Sequence, residues 1–288
     1  VPLPVFAQQA PTLPYSSVQL NVDGPMGIRL NTFNGNLYYS RKNDLVIPGR
    51  GLSIKISMAY NSGQSTIDSG FGYGWQFSYS LYYEKSGDDV LIYRGDGRVD
   101  KYLWNGSTFV KPYGVRDTLE EYATDKYRLT TPSGIQTFFD SSAHKHVTSI
   151  QEPNGNALTF SYSGSQLDTI TDASGRSLNL SYNGDNRLTT ITDPNPTPNR
   201  TVQLQYDGNG DLTGITDLGG NTTNYSYSSG HLLTSITDPR NTATITYVNP
   251  NMVSPVTNLS TATTSKSLSY DSGTNTTTVT DVVNAGRK

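Results

Sequence analysis

Residues 167–182 read Leu167-Asp168-Thr169-Ile170-Thr171-Asp172-Ala173-Ser174-Gly175-Arg176-Ser177-Leu178-Asn179-Leu180-Ser181-Tyr182. Leu178, Leu180 and Tyr182 alternate with polar neighbours, which is the two-residue period of a strand with one buried face. Ahead of that strand, Asp172 and Gly175 occupy the first and last positions of a four-residue segment where a tight turn favours each. The stretch therefore reads as part of a β-hairpin.

The phrase recurs. Ile150-Gln151-Glu152, Ile170-Thr171-Asp172, Ile191-Thr192-Asp193, Ile215-Thr216-Asp217 and Ile236-Thr237-Asp238 follow one another at intervals of 20, 21, 24 and 21 residues, with degenerate copies at Val256-Thr257-Asn258 and Val279-Thr280-Asp281. Tyr162, Tyr182, Tyr206, Tyr227, Tyr247 and Tyr270 keep step, and each of the first five ends an alternating or near-alternating run such as Leu158, Phe160, Tyr162 or Ala243, Ile245, Tyr247. Two independent markers with one period define a tandem repeat. A single hairpin is marginal in water, so each copy must pair with its predecessor to bury its face and satisfy its backbone groups. The expected fold class is all-β: an antiparallel β-hairpin repeat array forming a curved or spiralling sheet. The longest period carries its surplus in Pro194–Asn199, where three prolines exclude a central strand and predict a turn on one rim. The copies after Tyr247 are weaker, which predicts a less regular sheet there.

Upstream, Leu52–Met58, Phe77–Tyr83 and Val90–Tyr93 alternate between turns bearing Gly, Asn and Asp, so this half also reads as β. The expected organisation is a signal-peptide remnant and linker over 1–28, a β-rich N-terminal domain over 29–125, and the repeat array over 126–288, ending within its last repeat. The remnant is read from Val1–Ala7, an apolar run with small residues at Val5 and Ala7 that suits cleavage after Ala7, and it predicts a secreted or cell-surface protein. Trp75, beside Phe71 and Tyr73 in a Gly-rich stretch, is expected as a plug capping the end of the sheet rather than as an exposed ligand platform.

With 34% hydrophobic residues among 288, the chain can build a core, and its charged share of only 16% leaves a surface of uncharged polar groups. The net charge of -3 without a dense Lys/Arg block argues against nucleic-acid binding, and cysteine is absent. No stretch approaches the ~20 apolar residues of a membrane span.

Chemistry-bearing patterns are thin. His144 and His146 share a strand face, but no third zinc ligand lies nearby in sequence. Asp207–Asp211 resembles the first half of a calcium loop, yet Leu218 stands where the closing acid belongs, and a hairpin turn fits better. Arg94-Gly95-Asp96 matches an adhesive tripeptide by composition alone. Asp172, Asp193, Asp217 and Asp238 recur at every turn and read as turn formers rather than as catalytic pairs, and no Gly-x-Ser-x-Gly elbow occurs. The expectation is no enzyme, no cofactor and no metal site. The repeat-defining Tyr162, Tyr182, Tyr206, Tyr227 and Tyr247 are expected to pack across strands, with a glycan-facing role as the alternative.

The phrases Leu167–Arg176 and Leu178–Tyr182 resemble the consensus of the RHS/YD-repeat family, over roughly residues 147 to 288. Gly35–Leu37, Asp44–Gly51, Tyr60–Ser62, Phe71–Trp75 and Gly95–Arg98 are similar to the domain that commonly precedes such repeats in bacteria. The resemblance implies a sheet spiralling into a hollow shell, in many members around a C-terminal effector. It makes the expected function a structural scaffold, part of the encapsulating wall of a secreted polymorphic-toxin type protein; the alternative is a surface adhesin or glycan-binding open sheet. Expected partners are further repeats and an enclosed effector if the natural chain is longer, and glycans under the alternative. About six hairpins give an arc of ~58 Å at ~4.8 Å per strand. A wall around a 100-residue cargo needs a circumference on the order of 130 Å.

Overall fold

The structure, a computed structural model, describes residues 21–31, 35–140, 145–247, 256–261, 264–271 and 276–283. Among these residues every strand pairing is antiparallel, and the strands form sheets of 5, 4 and 16 members. The first sheet holds Asn21–Asp23, Ile28–Asn31, Leu37–Ile47, Ile54–Asn61 and Trp75–Phe77, and the second Tyr82–Ser86, Asp89–Tyr93, Val99–Trp104 and Phe109–Val110. The third runs from Thr118–Ala123 to Thr276–Val283 with its strands in chain order, each paired to its sequence neighbours. The all-β hairpin array expected from the repeats is this third sheet. The signal-peptide reading over Val1–Ala7 and His144 lie outside the described residues.

Within the array the period-2 pattern becomes a core face. Ile170, Ile191, Ile215 and Ile236 are fully buried, as are Leu178, Leu188, Leu212 and Leu233, while intervening Thr, Asn and Ser face outward or lie at the margin. Register is pinned by this pattern, because a one-residue slip would turn every leucine to solvent. The proline-bearing segment Pro194–Asn199 joins Leu188–Asp193 to Arg200–Tyr206 on the same rim as the Asp172 and Asp217 turns.

The five hairpins whose first strands end at Tyr162, Tyr182, Tyr206, Tyr227 and Tyr247 each contain one irregularity in the same place. Pairing shifts between Ser161 and Tyr162, Ser181 and Tyr182, Gln205 and Tyr206, Ser226 and Tyr227, and Thr246 and Tyr247. Across from each shift one residue is left over: Asp168, Thr189, Thr213, Thr234 and Thr257. Such a bulge bends its strand and adds right-handed twist, so the array coils by the same increment at each copy. The hairpin of Thr264–Asp271 and Thr276–Val283 lacks the bulge and keeps eight consecutive one-to-one pairs. The expectation of a less regular end is thus corrected: what the weaker copy loses is the irregularity that bends the others.

The N-terminal sheets lie against a face of the array. Ile28, Leu30, Leu45, Ile54, Ile56, Tyr60, Trp75 and Phe77 belong to the same buried cluster as Leu158, Phe160, Ile170, Leu180, Val202, Leu204, Tyr225 and Leu259. The second sheet covers the first strands of the array, with Tyr83 against Tyr127 at 4.6 Å between ring centroids and its hydroxyl donating to the Asp125 carbonyl at 2.7 Å. Trp75 is fully buried, as a plug would be, but its ring packs on Tyr225 at 4.9 Å in the middle of the array. The expected position at the sheet's end is corrected, because the apolar face offered by the repeats extends along their whole length and is covered there.

Candidate functional site

The repeating contacts start from the bulge. Beyond it, the ladder between each Ile-bearing strand and the following tyrosine strand stops at Ser149, Thr169, Thr190 and Gly214. Two residues before each stop, a carbonyl needs another donor. The tyrosine hydroxyls supply it: Tyr162 donates to Val147 at 2.8 Å, Tyr182 to Leu167 at 2.9 Å, Tyr206 to Leu188 at 2.7 Å and Tyr227 to Leu212 at 2.7 Å. Burial pushes all four hydroxyls above the usual tyrosine range, so they remain protonated donors. The side chain of Tyr247 lies outside the described residues.

The aspartates organise the opposite rim. Asp172 Oδ1 accepts from the Ser174 and Arg176 amides at 2.9 and 3.0 Å, and Asp217 Oδ1 from Gly219 and Asn221, both at 2.9 Å. Asp238 takes the Arg240 and Asn241 amides at 2.8 Å, and Asp193 the Asn195 amide at 3.1 Å. Burial alone would raise these carboxyls, but the hydrogen bonds hold all four below the usual range, helped at Asp172 and Asp193 by the paired Arg176 and Arg200 guanidinium groups. Each carboxylate is directed into its own turn.

What the sequence reading missed is the seam between the first sheet and the repeats. Leu188, Leu212 and Leu233 are equivalent positions in three successive copies, immediately before the bulge residue. The Leu188 amide donates to the Gly70 carbonyl at 2.9 Å, and the Leu233 amide to the Tyr60 hydroxyl at 3.1 Å. Gly72 lies so close to Leu212 that a Cβ there would come within 2.9 Å of the Leu212 nitrogen. The loop between Asn61 and Trp75 is therefore matched to the spacing of the repeats. Its signal in the sequence is Gly70, Gly72 and Gly74, all with φ between 77 and 89°, though spacing alone does not reveal what they approach.

Polar anchors flank these contacts. Tyr60 also donates to the His231 carbonyl at 2.9 Å, and the Trp75 indole donates to the Tyr227 hydroxyl at 2.8 Å, so Tyr227 is both donor and acceptor. Asp68 takes the Gly70 and Gly72 amides on one oxygen and Arg187 on the other at 2.8 Å. His231 meets Asp211 at 2.9 Å beneath the stacked ring of Tyr73. Burial raises the Asp211 carboxyl, opposed in part by His231. On the other rim Arg41 bridges Asp44 and Thr223, and Arg176 reaches the Pro48 carbonyl.

The other patterns resolve locally. Asp207 accepts the Asn209 and Asp211 amides at 2.9 Å as a hairpin turn, and Arg94 is tied to Asp100 and Asp117. His146 stacks on Tyr162. Among the described residues no three His, Cys, Asp or Glu side chains gather as a metal centre, and no helix is long and apolar enough to cross a membrane.

Two family models match the chain: a domain of unknown function (DUF6531) over residues 27–102, and the RHS Repeat over 163–197 and 206–243. The first spans the two N-terminal sheets almost entirely, and the second falls within the array. No curated protein matches. Similar solved structures include TcdB2-TccC3 without its hypervariable C-terminal region (14% identity, TM-score 0.39, 85% of this chain and 13% of that one) and TcdB2-TccC3-Cdc42 (12%, 0.39, 82% and 16%). A porin-like protein from Bacteroides uniformis is also similar (13% identity, TM-score 0.29, 87% and 97%). The chain spans about 13% of the length of the first of these.

Proposed function

Because the chain is an RHS/YD-repeat protein, we propose that it is a structural element of a protein wall, in which the repeats form the sheet and the N-terminal domain lines part of one face. The observation that carries this reading is the bulge and tyrosine bond repeated at every copy from Tyr162 to Tyr227. A device that adds the same bend at each hairpin builds a coiled surface of any length, and it asks nothing of a catalytic group. The 16 strands span an arc of about 72 Å at ~4.8 Å per strand, still short of the circumference an enclosed 100-residue cargo needs. Enclosure would therefore use further repeats, and among the described residues the strand Thr276–Val283 stands at the end of the sheet where they would add.

On this reading the protein is exported, and its partners are additional hairpins and the polypeptide they surround. The covered array face supports a wall over an open platform, since Arg187 lies over the Tyr206 ring and the Trp75 indole holds the Tyr227 hydroxyl. Cryo-electron microscopy of the natural full-length protein tests the proposal. It is supported if residues 118–283 form contiguous wall, and abandoned if they lie outside any closed surface.

A further inference from the structure

Two sheets end side by side. Among the described residues Phe109–Val110 closes the four-stranded sheet and Thr118–Ala123 opens the 16-stranded one, and no ladder joins them. A cleft of about 400 Å³ lies between, lined on one side by Trp104 and Phe109 and on the other by every residue from Leu119 to Thr124. Successive side chains of a strand point to opposite faces, so a cleft against one face would meet alternate residues. A cleft that meets them all runs along the strand's edge. We propose that this edge accepts one extended segment of a partner protein as an added strand, with residues in the order apolar, basic, basic, apolar. The inference is independent of the wall reading.

The backbone and the apolar surface provide the attraction. Alternate amide and carbonyl groups of an outer strand have no ladder partner, and strand addition supplies one. Of the seven exposed large apolar side chains among the described residues, five fall close together in the chain: Leu103, Trp104, Val110, Tyr113 and Tyr122. Such a concentration marks a docking face, where scattered exposure would not. The Trp104 ring is set against Phe109 at 4.9 Å and the Tyr122 ring against Phe138 at 5.9 Å, so both meet a partner without being reordered first.

The charge on the edge selects the occupant. Leu119-Glu120-Glu121-Tyr122 places two acids side by side, on opposite faces of the strand, and no Lys or Arg lines the cleft. Arg128 on the next strand pairs with Glu120, and the Asp125 amide donates to one oxygen of Glu121 at 2.9 Å, yet the Glu120 side chain stays 50% exposed. A second copy of this chain is the wrong partner. Paired antiparallel about the strand's centre, Glu120 would face the copy's Glu121, and parallel pairing in register would oppose each glutamate to itself. An added strand with two consecutive basic residues answers both acids, one on each face, and the apolar residues that flank them fall opposite Leu119 and Tyr122.

The test uses the full 288-residue chain with the capped peptide Thr-Val-Lys-Arg-Val-Thr and its acidic counterpart Thr-Val-Glu-Glu-Val-Thr. Trp104 reports docking directly, because the other tryptophan, Trp75, is fully buried. The basic peptide is expected to shift the Trp104 emission to the blue, to slow amide hydrogen exchange within Thr118–Ala123, and to bind less tightly as salt rises. Glu120→Lys combined with Glu121→Lys should weaken it about tenfold or more and turn the preference toward the acidic peptide. Leu218→Ala, at an exposed apolar side chain on a repeat turn, should change neither. Should hydrogen exchange show the strand of the double variant already open without peptide, Trp104→Ala, read by calorimetry, replaces it with the same expected weakening. No binding of the basic peptide, equal binding of both peptides, exchange slowed elsewhere but not in Thr118–Ala123, or a dimer of the free chain through this edge in sedimentation would overturn the proposal.

Discussion

The tyrosine that marks each repeat is selected by two needs at once. Its ring continues the buried face of its strand, and its hydroxyl reaches a carbonyl that the shortened ladder leaves behind. Phenylalanine meets only the first need. Tyr182→Phe is therefore expected to cost about 1–2 kcal/mol, because the Leu167 carbonyl keeps its burial and loses its donor. Urea unfolding read by tyrosine and tryptophan fluorescence measures this. A change below ~0.3 kcal/mol would show that water serves the carbonyl equally well. The threonines across the bulge do a smaller version of the same work: Thr189 and Thr213 donate to the Ser181 and Gln205 carbonyls at 3.0 and 3.2 Å.

At the scale of the element, strand, turn and period were readable because each is a local rule. Alternation sets the buried face, Asp and Gly set the turn, and Tyr marks the copy. The bulge was not readable, since it depends on which residue of one strand faces which of the next. The docking of the first sheet was hidden for a related reason: Gly72 announces an unusual backbone conformation but not the Leu212 amide against it. Trp75 is buried as a plug, yet it seats against Tyr225 rather than at the sheet's end, because composition identifies a plug and says nothing of where it seats. Gly72→Ala is expected to destabilise the protein by more than about 1 kcal/mol, as the new methyl meets backbone at 2.9 Å and the residue sits at φ 89°. Its effect should be strongest on hydrogen-exchange protection at Leu188, Leu212 and Leu233. A uniform loss across the array would argue against a local seam.

In the whole molecule, one core joins all three sheets, so acid should act on it as a unit. Asp172, Asp193, Asp217 and Asp238 are held below the ordinary value of 3.8. A carboxyl depressed in the folded state contributes stability that is present above its unfolded pKa and is lost as pH falls through the folded one. The loss from these four therefore falls below about pH 4. Asp44 and Asp211 are raised by burial and contribute with the opposite sign. Unfolding free energy measured from pH 6 to pH 2 should decline most steeply at the acid end, with a shallower decline in Asp172→Asn. That variant keeps an oxygen for the turn amides but gives up the charge that meets Arg176. An equal slope in both proteins would assign acid sensitivity elsewhere.

The seam also bears on how a gene of this kind can change length. Unequal exchange between two copies would insert or delete a hairpin, and every tyrosine would still find a carbonyl in the copy before it. Beneath the first sheet that tolerance ends, since Gly70, Tyr60 and Trp75 address Leu188, Leu233 and Tyr227 individually. One duplication there would shift each address by a copy. The covered hairpins should therefore be inherited at constant number, and variation in copy number should begin only where that cover ends.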